Sequence, residues 1–236
     1  MFELKLRDVP MSHIWFTADL HLFHNNVMKY NGRIEFMNEY EQEQMRQVKP
    51  KYPGGGYAKQ DVAHIKISDA SANNMSYKLM YNINSCVEPD HYLFVQGDVG
   101  MFHDVKHARN VLSQLQCKHV YFMLGNHDNA LLPEAIRQIR ESGRKNWHMV
   151  GDMFGLSWYR GDQKHPLYVH GTHYPMARWD RSHYGSYNTY GHCHGQYEKH
   201  RPPNALQEDV GIDVVRGYMP TNLWAVDTNM QRRAML

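Results

Sequence analysis

The stretch that decides the fold is VYFMLGNHD, residues 120–128. Its first part, Val120–Leu124, is entirely apolar, as in a β-strand that is covered on both faces. Gly125 follows, and because it has no Cβ the chain can turn sharply there. The polar residues Asn126–Asp128 are then expected at the carboxyl end of the strand, which is the edge where open α/β sheets bind their ligands.

The same arrangement recurs along the chain. Short β-branched and aromatic runs that end in glycine or polar residues predict five strands: His13–Thr17, His91–Gln96, His119–Leu124, Leu167–Thr172 and Tyr187–Tyr190. Helical patterns lie between or beside them: Asn25–Tyr30, Phe36–Val48, Met75–Ile83, Ala108–Leu115 and Leu132–Ile139. From Trp147 onward we expect mostly short strands and turns, ending with Val210–Val215 and Asn222–Asp227.

This alternation of strands and helices predicts one α/β domain over residues 1–236. The segment Lys49–Ser71 interrupts the pattern with Pro50, Pro53 and three glycines, which indicates an inserted loop. Such a loop could close over a site as a lid, or it could be a surface excursion, and both interpretations are open.

The composition excludes several classes of protein. Hydrophobic residues make up 42% and charged residues 21%, which is typical of a globular chain and not of a disordered one. Mean hydropathy is -0.69, and no apolar run approaches the ~20 residues of a membrane-spanning helix, so no membrane partner is expected. The first ten residues lack the apolar region of a signal peptide. Three scattered cysteines favour a reducing, cytoplasmic compartment.

Histidine is enriched, with 17 in the chain, and several belong to motifs that follow predicted strands. Five such motifs are present: Asp19-Leu20-His21, Gly97-Asp98, Gly125–Asp128, His173-Tyr174-Pro175 and Gly191–Gly195. They contain seven candidate metal ligands: Asp19, His21, Asp98, Asn126, His173, His192 and His194. A single catalytic zinc ion uses three protein ligands, so seven fit two ions ~3.5–4 Å apart that share a carboxylate.

The order of these motifs, D-x-H, G-D, G-N-H-D, H-Y-P and G-H-x-H, resembles the calcineurin-like metallophosphoesterases. The resemblance runs from His13 to about Pro220, apart from the segment 49–71. The stretches Val210–Asp213 and Gly217–Pro220 are also similar to the tail of the small bacterial and phage members, although they contain no ligand. The resemblance implies the four-layer metallophosphoesterase fold, in which two mixed β-sheets pack as a sandwich and are flanked by helices.

The resemblance also implies a role for each motif residue. Asp19, His21 and His194 would bind the first metal. Asn126, His173 and His192 would bind the second, with Asp98 bridging the two. His127 would be the catalytic residue, donating to the phosphate oxygen or the leaving group while a metal-bridging hydroxide attacks phosphorus. The cofactors implied are two divalent transition-metal ions, with manganese as the first choice and iron, zinc, nickel or cobalt as alternatives.

The implied activity is phosphoester hydrolysis, first of a nucleotide-like or other small phosphodiester. A nuclease is the next alternative, although the near-neutral net charge of +2 argues against tight binding of a duplex, which relies on Lys and Arg to neutralise phosphates. The phosphomonoesterase or protein-phosphatase alternative is weaker. The protein Ser/Thr phosphatases carry acidic and arginine residues where this chain has Met101 and Phe102, and glutamate where it has Asp128. A non-catalytic scaffold and a histidine-rich metal buffer are the non-enzyme alternatives, and the oligomeric state is left open.

Five further residues are candidates to support the ligands or contact substrate: His24, Asp128, Arg178, Arg181 and Asp213. Arg178 and Arg181, with aromatic neighbours, could hold a phosphate and a base, or they could lie in a solvated loop. His24 could equally be a residue that merely precedes a helix, and Asp213 could equally be a turn residue at the end of a strand. Cys193 is expected to be a spectator and His170 structural. Nine other histidines, including His91, are expected on the surface.

Overall fold

The computed structural model describes residues 1–52 and 56–235. The first half of the chain contains the elements β1 (Phe2–Arg7), β2 (Ile14–Thr17), α1 (Asn25–Tyr30), α2 (Glu39–Arg46), α3 (Lys59–Val62), α4 (Asp69–Cys86), β3 (Tyr92–Gln96) and α5 (Val105–Leu112). The second half contains β4 (His119–Met123), α6 (Leu131–Glu141), β5 (Trp147–Met149), β6 (Met153–Tyr159), β7 (Leu167–Thr172), β8 (Tyr187–Tyr190), β9 (Gln207–Asp209), β10 (Thr221–Asn222) and α7 (Leu223–Ala234). Short 3-10 helices span Met11–His13, Ile34–Phe36 and Ser182–Tyr184.

The strands form two five-stranded sheets, with orders β1-β6-β7-β8-β9 and β10-β2-β3-β4-β5. In the second sheet β2, β3, β4 and β5 run parallel, and β10 pairs antiparallel with β2. In the first sheet only β6 and β7 pair antiparallel. Both sheets are therefore mixed, and the protein has the predicted α/β class with two sheets.

Alternation along β3 shows why its residues are nearly all apolar. Phe94 points toward the first sheet, and its ring centroid lies 4.3 Å from that of Phe154 in β6. Leu93 and Val95 point the opposite way, into the core shared with the helices. Successive side chains of a strand face opposite sides, so a strand between a sheet and a helical layer must be apolar on both.

The helical layer covers the other face of the second sheet. The apolar stripes that predict these helices are buried in one core: Met75, Leu79 and Ile83 of α4, Ala108, Val111 and Leu112 of α5, and Leu132, Ala135, Ile136 and Ile139 of α6. Burial of such stripes is the main source of helix stability in a globular protein. The predictions of these helices are confirmed.

The segment 49–71 is partly built into this core. Val62 and Ile65 are fully buried, and the Lys29 ammonium donates to the Ile65 carbonyl at 2.7 Å. Helix α4 begins at Asp69, with the Ser68 hydroxyl accepting from the Ser71 amide. Residues 53–55 of the predicted inserted loop lie outside the described residues.

The carboxyl-terminal prediction is wrong in its second part. Asn222 ends the two-residue strand β10 and then caps α7, because its side-chain oxygen accepts from the Ala225 amide. Leu223, Val226 and Met230 form the buried stripe of that helix. The first part is also wrong, because the strand expected at Val210–Val215 lies earlier, at β9.

Strand β1 was not predicted from the sequence. It alternates charged and apolar residues at the edge of the first sheet. No helix within residues 1–52 and 56–235 has the length and apolar character needed to cross a membrane.

Candidate metal centre

The ligand motifs meet at one edge of the molecule. Asp19 and His21 follow β2, Asp98 follows β3, and Asn126 follows β4. Because these three strands are parallel, their carboxyl ends lie side by side. The turns after β7 and β8 join them: the Gly191 amide donates to the His173 carbonyl, and the His192 amide donates to the Asp19 carboxylate at 2.9 Å.

Asp19, His21 and His194 form the first ligand group, in which their ligand atoms all lie within 4.8 Å of one another. Asp19 is completely buried, and burial raises the pKa of its carboxyl to about 8. Burial also lowers the pKa of His21, and its Nε2 atom has no hydrogen-bond partner among the described residues. A buried carboxylate beside an unpartnered imidazole nitrogen is costly unless a cation completes the site.

The second ligand group consists of Asn126, His173 and His192. The Asn126 Oδ1 atom lies 3.1 Å from His173 Nε2. His173 and His192 have ligand nitrogens within 4.8 Å of each other and of an Asp98 carboxylate oxygen. Burial lowers the pKa of both histidines, which favours the neutral imidazole that binds metals.

Asp98 lies between the two groups. Its Oδ2 atom is 3.5 Å from His21 Nε2 and 3.6 Å from His173 Nε2. Its Oδ1 atom accepts from the His127 amide at 2.8 Å, which leaves Oδ2 facing both groups. The structure thus brings the seven candidate ligands into one cluster with a shared carboxylate.

The backbone of the cluster is strained. Positive φ angles, between 46° and 67°, occur at five of the seven candidates: Asp19, His21, Asp98, His192 and His194. Such conformations cost about 1–3 kcal/mol per residue and are concentrated at functional sites. At Gly125, a Cβ would collide with the Asp98 carboxylate, so only glycine lets the two turns approach this closely.

A buried ion pair supports the first ligand group. The Asp213 carboxylate accepts from Arg33 Nε and Nη2, each at 2.7 Å, and lies 2.6 Å from His194 Nδ1. Arg33 Nη2 also donates to the Asp19 carbonyl at 2.6 Å. Although burial favours the neutral acid, the charges of Arg33 and His194 hold the pKa of Asp213 well below its usual range.

The contact to His194 has a direct consequence for the ligand group. Since Nδ1 faces Asp213, the Nε2 atom of His194 is left to face the cluster. Arg33 is completely buried and was not singled out from the sequence. No local signal could have found it, because it pairs with a residue 180 positions away.

His127 and His24 line the open side of the cluster. The His127 side chain is exposed, and its ring centroid lies 5.1 Å from that of His21 and 5.7 Å from that of His24. The three histidines have ring nitrogens within 4.8 Å of one another. Burial, helped by the neighbouring His127, lowers the pKa of His24 to about 4. His24 therefore belongs to the surroundings of the ligands, and it also precedes α1.

Asp128 fastens two ligand turns together. Its Oδ1 atom accepts from the Val99 amide and its Oδ2 atom from the Gly125 amide, both at 2.9 Å. Burial raises the pKa of its carboxyl to about 6. The contacts of Asp128 are with backbone, so it shapes the site and does not orient the His127 ring.

Neither arginine candidate makes a hydrogen bond or ion pair with a candidate ligand among the described residues. The Arg181 guanidinium lies 4.1 Å from the ring centroid of Tyr168 and 3.5 Å from the Asp180 carboxylate. Tyr168 is five residues before His173 along β7, which corresponds to ~16 Å. Arg178 is exposed and makes no hydrogen bond or ion pair with the described residues.

The remaining histidine and cysteine predictions have mixed outcomes. His91 is buried and accepts from Trp15 Nε1 at 3.1 Å, so the prediction that it lies on the surface is wrong. His170 is buried in β7. Burial raises the pKa of the Cys193 thiol to about 11, and Cys193 belongs to none of the candidate ligand groups of the described chain.

The donor set would suit a pair of borderline transition-metal ions. It combines imidazole nitrogens, carboxylate oxygens and one amide oxygen, with no thiolate. Such mixed donors favour manganese, iron, zinc, cobalt or nickel over calcium or structural zinc. The unpartnered, buried His21 Nε2 atom is the clearest sign that these residues fit a cation.

Comparisons with known proteins do not name a function. No family model matches the chain, and no characterised protein matches its sequence. A solved structure similar to this chain is that of the protein of unknown function AQ665 from Aquifex aeolicus. The sequence identity is 14% and the TM-score 0.49, and the match covers 92% of this chain and 98% of that one.

Proposed function

We propose that the protein is a di-metal-dependent phosphoester hydrolase of the metallophosphoesterase fold. The observation that carries this proposal is the position of Asp98, whose Oδ2 atom is within 3.6 Å of a histidine nitrogen from each ligand group. A shared carboxylate is typical of sites with two metal ions. The order of the five ligand motifs supports the same assignment.

In this proposal Asp19, His21 and His194 hold one ion and the second ligand group holds the other, with Asp98 shared. Two divalent ions, with manganese as the first choice, would neutralise the charge of the phosphoester and act as Lewis acids on it. Asn126 contributes a neutral oxygen. This choice keeps the site from becoming too anionic for an anionic substrate.

His127 is the residue best placed to handle a proton. Its exposed ring borders the first ligand group, and its amide is fixed by the Asp98 carboxylate. A protonated imidazole in this position can donate to the leaving-group oxygen, which would otherwise depart as an alkoxide. The substrate proposed first is a nucleotide-like or other small phosphodiester.

The test is hydrolysis of bis-p-nitrophenyl phosphate beside p-nitrophenyl phosphate, with manganese added and after chelation. We expect manganese-dependent cleavage of the diester. Cleavage of the monoester alone would redirect the proposal to phosphatases. Absence of both activities in protein with two bound metals would contradict the proposal and favour a scaffold or a metal buffer.

The variant His127→Gln separates catalysis from metal binding. We expect metal content to stay at the wild-type level while turnover falls by about 10²–10⁴. Loss of metal would instead reassign His127 as a ligand. Metal analysis of the purified variant, beside its rate on the diester, distinguishes these outcomes.

A further inference from the structure

A pocket of about 410 Å³ adjoins the metal centre, and we call it the rim pocket. Two of the residues that line it, His192 and His194, are candidate ligands. The pocket is also lined by Tyr52, Tyr197, Lys199 and His200. Its volume lies within the ~300–1,000 Å³ of small-molecule sites. A group in the rim pocket would be directly beside a phosphate held at the metal centre.

The charge of the rim pocket is one-sided. Lys199 and His200 line it, and no acidic side chain does among the described residues. The neighbouring acid, Glu198, is engaged elsewhere: its Oε1 atom lies 2.5 Å from the Arg201 guanidinium and 3.4 Å from that of Arg233. The Lys199 ammonium therefore has no ion-pair partner among the described residues and can face an anionic ligand.

The rim pocket also offers flat aromatic surface. Tyr52 is 43% exposed, and its amide donates to the Gly56 carbonyl at 2.9 Å. Tyr197 packs edge-on against the buried Tyr190, with ring centroids 5.8 Å apart. Aromatic faces next to a free cation are the usual means of holding a nucleobase together with its phosphate.

We infer that the rim pocket binds a nucleotide unit of the substrate, with its base against Tyr52 and Tyr197 and a second phosphate facing Lys199. This inference rests on the proposed function, because it places the scissile phosphate at the metal centre. The substrate class is then a nucleotide phosphodiester that carries a phosphate beyond the one that is cleaved. It also assigns a role to the segment 49–71, which contributes Tyr52.

Binding is measured first, without turnover. Equilibrium dialysis of the manganese-loaded protein uses thymidine 3′,5′-bisphosphate, thymidine 5′-diphosphate and thymidine 5′-monophosphate. We expect either doubly phosphorylated ligand to bind more tightly than the monophosphate. Preference for the 3′,5′-bisphosphate indicates a neighbouring phosphodiester as the natural source of the second phosphate, and preference for the 5′-diphosphate indicates a pyrophosphate.

Two variants test the residues of the rim pocket. Lys199→Gln and Tyr52→Ala should each raise the Kd of the preferred ligand about tenfold. Lys145→Gln and Tyr81→Ala are matched controls, because both are exposed and neither lines the rim pocket. Wild-type affinity in Lys199→Gln and Tyr52→Ala would overturn the inference.

Kinetics then separate the two proposals. The ratio of kcat/KM for thymidine 5′-p-nitrophenyl phosphate to that for bis-p-nitrophenyl phosphate should fall about tenfold in Tyr52→Ala. Hydrolysis of both diesters with an unchanged ratio would contradict the rim pocket and leave the hydrolase proposal standing. Lys199-dependent nucleotide binding without any hydrolysis would support the rim pocket and contradict the hydrolase proposal.

Discussion

The two ligand groups differ in what surrounds them. The first group is enclosed: Asp19 and His21 are buried, and Arg33 and Asp213 support it from behind. Each group contains one partly buried histidine, His194 or His192, and the second group is more open because its Asn126 is exposed. A carboxylate that orients a ligand histidine strengthens metal binding. If the proposed metals bind, we therefore expect a tightly held ion in the first group and a more exchangeable, substrate-facing ion in the second.

The largest effect is expected from removing Asp98, the carboxylate that the two ligand groups share. Asp98→Asn should lower the occupancy of both proposed metals and reduce kcat/KM for the diester about 10³-fold or more, since two such metals would supply several kcal/mol of transition-state stabilisation. Metal analysis and kinetics on the same preparation check this. Loss of one metal only would show that Asp98 belongs to a single group.

The next effect should be confined to the first group. Asp213→Asn removes the carboxylate charge beside His194 Nδ1, and we expect a 10–100-fold weaker affinity for the first ion with the second unchanged. Calorimetric titration with manganese resolves the two events. Asp162→Asn, at an exposed position in the turn between β6 and β7, is the matched control. Equal weakening of both ions would remove the distinction between the groups.

A pH-dependent effect should also follow from the first group. In the metal-free protein the pKa of Asp19 is raised to about 8 from 3.8, so the folded state retains a proton that the unfolded chain releases. The contribution of Asp19 to the free energy of unfolding of the metal-free protein is thus fully present below about pH 4 and is lost as pH rises through about 8. Burial lowers the pKa of His194, but the neighbouring Asp19 and Asp213 carboxylates raise it by more, to about 8. The stability that His194 contributes is therefore also lost as pH rises through about 8.

Manganese must displace this proton, so its stabilising effect should grow with pH. We expect the manganese-induced rise in Tm to increase by roughly 3–5 °C per pH unit between pH 6 and pH 8. Thermal melts with and without manganese measure it. In Asp19→Asn the increase should be smaller, and a pH-independent rise in the wild-type protein would contradict the argument.

The smallest effect is expected at the second ligand group. Asn126→Asp adds a negative charge beside His173 Nε2, 3.1 Å from the present amide oxygen. We expect the second ion to bind several-fold more tightly and KM for an anionic diester to rise by a similar factor. An unchanged KM together with tighter binding of the second ion would show that the neutral amide does not serve substrate binding.

Much of the architecture could be predicted from local patterns. The apolar stripes of α4, α5 and α6 and the apolar runs of β3 and β4 are visible in the sequence, because each must cover a buried face. The sequence favours a strand over Asn222–Asp227 because the apolar residues there are compatible with both the strand and the helix period over so short a span. The cap at Asn222 decides in favour of the helix.

The candidate ligands were also visible, since polar residues after strands with glycine neighbours are a strong local pattern. Local sequence patterns are enough to show which residues end each strand and so reach the common edge. How these residues are grouped and supported depends on the packing of the fold. The Arg33–Asp213 pair and the position of Asp98 between two histidines join residues that are far apart in the chain. Such contacts depend on how the sheets and turns pack, and no local spacing encodes them.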